Sequence, residues 1–162
     1  MPKTPHNLGP LPSLLSRLRD DQPDQPAQAR IDAWNIEGVI EEIRLDLEAL
    51  LNTRRSPACE NLPAGSETKN SIMAYGLPDF SSFNLKSDAD RFKLRKMIEE
   101  TIGLFEPRLQ RVRVSFSPVA PFDHILRFTI EGVAALEPAP ERVVFDTALD
   151  MNSRVYKVQE AA

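Results

Sequence analysis

Apolar residues recur at three- and four-residue steps in two stretches of the chain, and at alternate positions in its C-terminal third. In the second of the two stretches this spacing predicts a helix over 88–105 with one buried face. Ser87 occupies the position of an N-cap, and Asp88 and Asp90 place negative charge in the first turn, where it suits the helix dipole. The predicted buried face comprises Phe92, Leu94, Met97, Ile98, Ile102 and Phe105.

The first stretch predicts a helix over 32–51. Its end is indicated by Asn52, which tolerates a left-handed backbone, and Arg54 and Arg55 follow near the negative end of the helix. Such a basic pair serves equally to stabilise the helix end or to bind a partner. The predicted buried positions are Ile36, Ile40, Ile43, Leu47, Leu50 and Leu51. The charged positions are interpreted as a water-facing surface and not as a metal or catalytic cluster: Glu37, Glu41, Glu42, Arg44 and Glu48.

A polar linker is predicted over 56–70, followed by a short helix over 71–75. The sequence Gly76-Leu77-Pro78-Asp79 ends this helix. Gly76 accepts a positive φ, Pro78 restricts the chain, and Asp79 is suited to hydrogen bonding with backbone groups. We therefore expect a tight turn here.

Pro107 separates the second helical pattern from the first alternating one. Proline lacks a backbone N–H and disfavours helical geometry at the preceding residue, so the helix is predicted to stop at Glu106. If the chain is extended here, the side chains of Glu106 and Arg108 project to the same side. A carboxylate and a guanidinium beside a stiff proline can bind a partner's ion pair or exposed backbone groups. The alternative is a helix stop whose charged neighbours are solvated.

The alternating pattern predicts strands over 111–117, 124–136, 142–150 and 154–158, with a turn at 151–153. Short connections between them favour an antiparallel meander. The predicted class is α+β, with N-terminal helices packed on one face of a small, mainly antiparallel C-terminal sheet. The last strand is short and mixed with positive charge, so we expect it at an exposed edge.

The size of the chain, 162 residues with 41% hydrophobic composition, suits one core. We predict a flexible proline-rich arm over 1–30 and a single domain over 31–162, because six of the 14 prolines lie in the first 26 residues. Within the arm, leucines at helical spacing predict a docking segment that orders on another surface, or one helical turn on the domain's own core. These leucines are Leu11, Leu14, Leu15 and Leu18.

Charge and composition argue against several classes of function. A net charge of −4 without a long basic run disfavours nucleic-acid binding. No apolar run approaches the roughly 20 residues that span a bilayer, and the chain opens without a leader pattern, so we expect a cytoplasmic protein without membrane insertion. Cys59, the only cysteine, excludes an internal disulfide, and His6 and His124 are too scattered for a metal site. No glycine-rich phosphate loop is present, and we expect no cofactor.

Several short motifs, taken in order, make the chain resemble the TssE family of type VI secretion baseplate components, which is related to wedge proteins of contractile phage tails. The resemblance extends from the arm to the terminal strands. The motifs are Leu11-Pro12-Ser13-Leu14-Leu15, Leu50-Leu51-Asn52-Thr53-Arg54-Arg55, Tyr75-Gly76-Leu77-Pro78-Asp79 and Phe105-Glu106-Pro107-Arg108-Leu109.

The resemblance implies a structural role at the cytoplasmic side of the inner membrane. TssE-like proteins join the wedge subunits TssF and TssG, adjoin TssK through the wedge, and offer a platform from which the TssB/TssC sheath grows. It also implies that a sheath segment pairs with an exposed edge of the sheet. The implied partner-binding residues are Glu106, Pro107 and Arg108, together with Asn52, Arg54, Arg55, Gly76, Pro78 and Asp79.

Two other functions compete with this interpretation. The family carries a lysozyme-like label, and a glycosidase needs two carboxyl groups roughly 5 to 9.5 Å apart. No spacing singles out such a pair among the available carboxylates, and Arg108 would keep the neighbouring one ionised. A regulatory module is the other alternative, because the fold is similar to an anti-adaptor that binds a response regulator; the arm and the loop motifs favour the baseplate. The carboxylates considered are Glu106, Glu131, Asp146 and Asp150.

Overall fold

The computed structural model describes residues 36–59, 63, 66–85, 87–118, 124–136 and 139–161. Two helices precede four strands, which confirms the α+β prediction. The helices are α1 (Ile36–Asn52) and α2 (Asp88–Phe105), and the strands are β1 (Leu109–Phe116), β2 (Ile125–Ala134), β3 (Glu141–Asp150) and β4 (Tyr156–Glu160). The strands form one sheet in the order β1-β2-β3-β4, and every neighbouring pair is antiparallel.

Three predictions fall on residues outside these ranges. They are the flexible arm over 1–30, its docking leucines Leu11, Leu14, Leu15 and Leu18, and the first helical turn over 32–35. The single domain over 31–162 likewise stays a prediction. Helix α2 has the predicted bounds, whereas Ser87 lies at its N-cap position without a side-chain capping bond.

The core lies between the helices and one face of the sheet. Both helices bury their apolar stripes there, and alternate residues of β2 and β3 point into it. Two predicted core residues are wrong: Ile36 is 36% exposed and Phe92 is 48% exposed. Phe92 has the spacing of a core residue, but its ring lies under the cationic groups of Arg95 and Lys96 at the surface.

Between the helices, the chain forms three single turns of 3-10 helix, over Pro57–Cys59, Glu67–Asn70 and Ile72–Ala74. The linker prediction is therefore incomplete, and Cys59 is buried, with its sulfur 3.2 Å from the carbonyl oxygen of Met73. Gly76 has a φ of 101°, as predicted for the turn. A Cβ at this position would collide with the backbone of Thr53.

Strand β1 contains a bulge that its alternation did not predict. The register with β2 shifts between Gln110 and Arg113, and Arg111 has a φ of 54°. A bulge bends its strand and increases the local twist. The bulge therefore divides the pairing of β1 into a short part at Leu109 and Gln110 and a longer part from Arg113 to Phe116.

Candidate functional site

The Glu106-Pro107-Arg108 corner forms a tight turn. Leu109 N–H donates to the carbonyl oxygen of Glu106 at 3.1 Å, so the expected extended geometry is wrong. The two charged side chains nevertheless meet, because the guanidinium folds back over the turn. Arg108 Nε lies 2.8 Å from Glu106 Oε1, and Nη2 lies 2.8 Å from Oε2. This bidentate ion pair holds the junction between α2 and β1.

The same guanidinium reaches α1. Arg108 Nη1 donates to Glu42 Oε2 at 3.2 Å, and Nη2 donates to Asp46 Oδ2 at 2.5 Å. The side chains of Glu42 and Glu106 are only 8% and 6% exposed, so the prediction of a water-facing Glu42 is wrong. A buried charge requires a partner, and Arg108 provides one. The only signal for this cluster in the sequence is the four-residue spacing of Glu42 and Asp46, which places both on one side of the helix.

The electrostatics of this cluster keep Arg108 charged. Its hydrogen bond to Glu106 raises the pKa of the guanidinium, against the opposing effect of burial. Burial raises the pKa of Asp46 more than Arg108 lowers it. Burial, followed by the charges of Asp46 and Glu106, also raises the pKa of Tyr75. Glu106 lies inside, whereas the side chains of Arg108 and Asp46 remain 24% and 39% exposed and form the accessible rim.

The two loop motifs that the resemblance marked out lie against each other. Arg54 forms an ion pair with Asp79, and Arg55 Nε donates to the carbonyl oxygen of Gly76 at 3.2 Å. Asp79 also accepts a 2.9 Å hydrogen bond from Ser81 N–H, which lowers its pKa. The basic pair thus fastens the 76–79 turn to the region that follows α1. Pro78 is half-buried within that turn.

Ring packing adds the third motif to this arrangement. Tyr75 precedes the 76–79 turn and Phe105 precedes the corner, and their ring centroids lie 5.3 Å apart in an edge-on contact. Arg55 Nη2 also lies 3.4 Å from Thr101 Oγ1 of α2. The structure therefore brings all three described motifs into one connected region. Whether this region contacts partners stays a prediction.

The role of Asn52 differs from the predicted one. Positive φ values among non-glycine residues of the described ranges occur at Arg111 and Arg154, so Asn52 does not end α1 in a left-handed conformation. Its side chain instead donates to the carbonyl oxygen of Glu48 at 2.8 Å. It also hydrogen-bonds to the backbone of Tyr156 on β4 and so caps the edge of the sheet from α1.

The backbone of β4 alternates between β3 and the outside. Val155 accepts a 3.0 Å hydrogen bond from Asp150 N–H. Every second residue after Val155 therefore directs its backbone N–H and C=O groups toward β3. Tyr156 and Val158 are out of phase and direct their N–H and C=O groups away from the sheet. An unpaired row of this kind is a template for another strand.

Three side chains of α1 occupy this row, one helical turn apart. Asn52 accepts from Tyr156 N–H at 2.9 Å and donates to its carbonyl oxygen at 3.0 Å. Glu48 accepts from Val158 N–H at 3.4 Å, and Arg44 donates to the Val158 carbonyl oxygen at 2.8 Å. We call Arg44, Glu48 and Asn52 the α1 ladder. The prediction of an edge position for the last strand is confirmed, but the α1 ladder caps the outward backbone groups of Tyr156 and Val158.

Among the described residues, the β1 edge is capped at one point, the N–H of Val114. Ser117 N–H donates to the carbonyl oxygen of Arg127 at 2.9 Å. Because backbone groups alternate in direction along a strand, the N–H and C=O groups of Phe116 and Val114 point away from β2. Glu99 of α2 accepts from Val114 N–H at 2.9 Å. No residue of the described ranges caps the backbone groups of Phe116 in this way. Sequence reasoning missed Glu99, since an acidic residue on a helix resembles a solvated one.

The carboxylates considered for glycoside hydrolysis have other contacts. Glu131 pairs with Arg142 at 2.8 Å, and Asp146 accepts from Thr129 Oγ1 at 3.2 Å. Asp150 accepts from Asn152 N–H at 2.8 Å, and this bond lowers its pKa. A general acid needs the opposite shift.

Within the part of the chain that the structure describes, no group of three or more His, Cys, Asp or Glu is suited to holding a metal ion. Neither α1 nor α2 is long and apolar enough to cross a membrane.

The fold is a small antiparallel sheet with helices packed on one face, and charged side chains join its elements to one another. The sequence model of the family described as "Baseplate wedge protein gp25" matches residues 38–139. The chain belongs to this family of structural baseplate proteins, and its resemblance to TssE is thereby confirmed. The matched region includes α1 from its third residue, all of α2, the corner, β1 and β2.

One solved structure is similar to this chain, "The baseplate complex from the type VI secretion system". The matching chain has 16% sequence identity and a TM-score of 0.47, and the match covers 78% of this chain and 96% of that chain. No curated protein matches significantly.

Proposed function

We propose that this protein is a non-catalytic baseplate component of a type VI secretion system. It joins TssF and TssG in the wedge, adjoins TssK through the wedge, and supports the start of TssB/TssC sheath growth at the cytoplasmic side of the inner membrane. The observation that carries the proposal is the family match over residues 38–139, which contains all three described motifs. Their mutual contacts support a single binding region in place of three separate ones.

The corner contributes to this region in two ways. Glu106 and Glu42 are buried and orient the guanidinium, while Arg108 and Asp46 form the rim available to a partner. An arginine held by a bidentate carboxylate presents its remaining N–H groups in a fixed direction. A wedge or sheath subunit recognises this rim together with the adjoining turn at 76–79.

The sheet contributes by strand addition. An extended segment of a sheath subunit pairs its backbone with an edge of the sheet, and main-chain hydrogen bonds supply part of the affinity. The corner sets the register by fixing where β1 begins, because Leu109 follows directly after the turn.

The test is complementation in a type VI-positive bacterium that lacks its own copy of this component. We expect the wild-type chain to restore fluorescent sheath assembly and to co-purify with TssF and TssG. Asp46→Lys reverses the rim charge while leaving both buried carboxylates in place, and we expect it to abolish assembly. Lys157→Glu is the matched control, a charge reversal at an exposed position of β4, and we expect it to assemble normally.

Three outcomes would contradict the proposal. Recovery of a lone response regulator without TssF and TssG would favour the anti-adaptor alternative. Cell-wall hydrolysis by the purified chain, abolished by Glu106→Gln, would favour the glycosidase. Normal sheath assembly by Asp46→Lys would remove the rim from the mechanism.

A further inference from the structure

We infer that the open part of the β1 edge, with the groove beside it on α2, binds an extended segment that carries an acidic side chain from an assembly partner. We call this surface the β1 groove. Its α2 wall is formed by Asp88, Arg91, Phe92 and Arg95, and its β1 wall by Phe116, Ser117 and Pro118. The inference rests on the proposed function in one respect, namely that the partner belongs to the assembly.

Backbone pairing is the first requirement for an extended ligand. Phe116 directs its N–H and C=O groups away from β2, and nothing in the described ranges caps them. The cap on Val114 N–H by Glu99, at 2.9 Å, marks where this open stretch begins. A segment added here would pair with the N–H and C=O groups of Phe116, and Pro118, which lacks an N–H, could only accept a hydrogen bond.

Space for side chains is the second requirement. The β1 groove has a volume of about 420 Å³, enough for side chains of an added segment. Phe92 is 48% exposed on its helical wall, and Phe116 on the opposite wall is anchored against Phe128 with ring centroids 5.3 Å apart. An exposed aromatic residue facing a fixed one suits an apolar side chain between them.

The charge of the α2 wall decides the chemistry of the ligand. The guanidinium carbon of Arg95 lies 4.8 Å from the centre of the Phe92 ring, and Lys96 Nζ lies 5.3 Å from it. Neither cation forms a salt bridge with a described residue, whereas Arg91 is paired with Asp88. An arginine stacked on an aromatic ring keeps its N–H groups available for a carboxylate. The complementary segment is therefore acidic.

The other edge would not accept such a segment at Tyr156 and Val158 without rearrangement. At β4, the α1 ladder already holds the outward N–H and C=O groups of both Tyr156 and Val158. A competing strand would have to displace Asn52, Glu48 and Arg44 together. Addition to the β1 edge requires no displacement at Phe116.

The experiment uses a photo-crosslinking amino acid in cells with an active type VI system. It replaces Ser117 in the β1 groove and, as the control, Lys157, which is exposed between the two capped residues of β4. We expect a crosslink from Ser117 to a peptide that contains Asp or Glu, identified by mass spectrometry, and none from Lys157. Arg95→Glu should reduce the Ser117 crosslink about tenfold, and Lys157→Glu should leave it unchanged.

Several results would overturn the inference. They are a crosslinked peptide without an acidic residue, equal crosslinking from Lys157, insensitivity to Arg95→Glu, or no crosslink from Ser117 or from a second placement at Pro118. If sheaths assemble and TssF and TssG co-purify in those same cells, the proposed function stands and only the β1 groove is refuted. Failure of co-purification with the wild-type chain would instead refute the proposed function.

Discussion

The two edges of the sheet are closed to different degrees. On β4, the α1 ladder contacts every outward backbone group of Tyr156 and Val158. On β1, Glu99 contacts Val114 alone, and Phe116 remains open beside a basic, aromatic groove. Exposed edges invite unwanted pairing, so proteins cover them or make them unsuitable. Here the difference leaves part of the β1 edge open beside a groove, whereas β4 is capped at Tyr156 and Val158.

Helix α1 can close its edge because it is held on both flanks of its apolar stripe. Glu42 and Asp46 bind Arg108 on one flank, and the α1 ladder binds β4 on the other. At 3.6 residues per turn, positions four apart stack along one flank, which gives each set its spacing. The corner therefore affects the distant edge through α1. The predictions below test this link and the contrast between the edges.

The largest effect is expected for Arg108→Ala. It leaves two buried carboxylates without their cation, and we expect a loss of about 3 kcal/mol in the free energy of unfolding, measured by urea denaturation. Because α1 loses the anchor on one flank, amide exchange at Tyr156 and Val158 should also accelerate. Arg142→Ala, which breaks an exposed pair with Glu131, should stay within about 0.5 kcal/mol of wild type. Similar losses of unfolding free energy in both variants would mean that the corner stabilises the fold no more than an exposed ion pair does.

Amide hydrogen exchange in the isolated wild-type protein compares the edges directly. Phe116 N–H faces outward without a described cap, whereas Tyr156 and Val158 N–H groups donate to Asn52 and Glu48. We expect exchange at Phe116 to be on the order of 100-fold faster than at either β4 amide. Equal protection, measured by NMR, would mean that both edges are closed.

Truncation of the capping side chains should have unequal costs. Asn52→Ala removes two hydrogen bonds to Tyr156, so we expect the free energy of unfolding to fall by about 2 kcal/mol. Glu99→Ala removes one bond to Val114, and we expect a loss of about 1 kcal/mol. Only the Asn52 variant opens an otherwise closed edge, and it should show concentration-dependent association in sedimentation velocity. Association of the Glu99 variant alone would reverse the comparison.

The smallest effect concerns pH and the turn between β3 and β4. Hydrogen bonds from Asn152 and Ser153 lower the pKa of Asp150 below its usual 3.8. Its contribution to stability is therefore fully present above pH 3.8 and is lost as pH falls through the folded-state pKa. Asp150→Asn should be less stable than wild type at pH 7, and this difference should vanish in strong acid, as urea titrations would report.

For Asp46 we expect the opposite dependence of stability on pH. Its folded-state pKa is raised by burial, so ionisation opposes folding, and wild type should gain stability relative to Asp46→Asn as pH falls toward 3.8. Parallel pH profiles for the Asp150 and Asp46 variants would contradict these assignments.

Local chemistry was sufficient to predict several parts of the fold. The bounds of α2, its end before Pro107, the positive φ of Gly76 and the antiparallel strands all follow from periodicity and backbone sterics within a few residues. The same reasoning failed at Glu42 and Phe92. Helical spacing identifies which side of a helix a residue occupies, but not whether a charge finds a buried partner or an aromatic ring finds the core.

By itself, the sequence determined the elements, their order, the class of fold and the family motifs, because these depend on neighbouring residues. Only the tertiary structure decided which carboxylates share Arg108 and which edge is closed. Glu42 lies 66 positions from Arg108, and Asn52 lies 104 positions from Tyr156. Contacts over such separations depend on how α1 packs across the sheet, and no local pattern of residues encodes that placement.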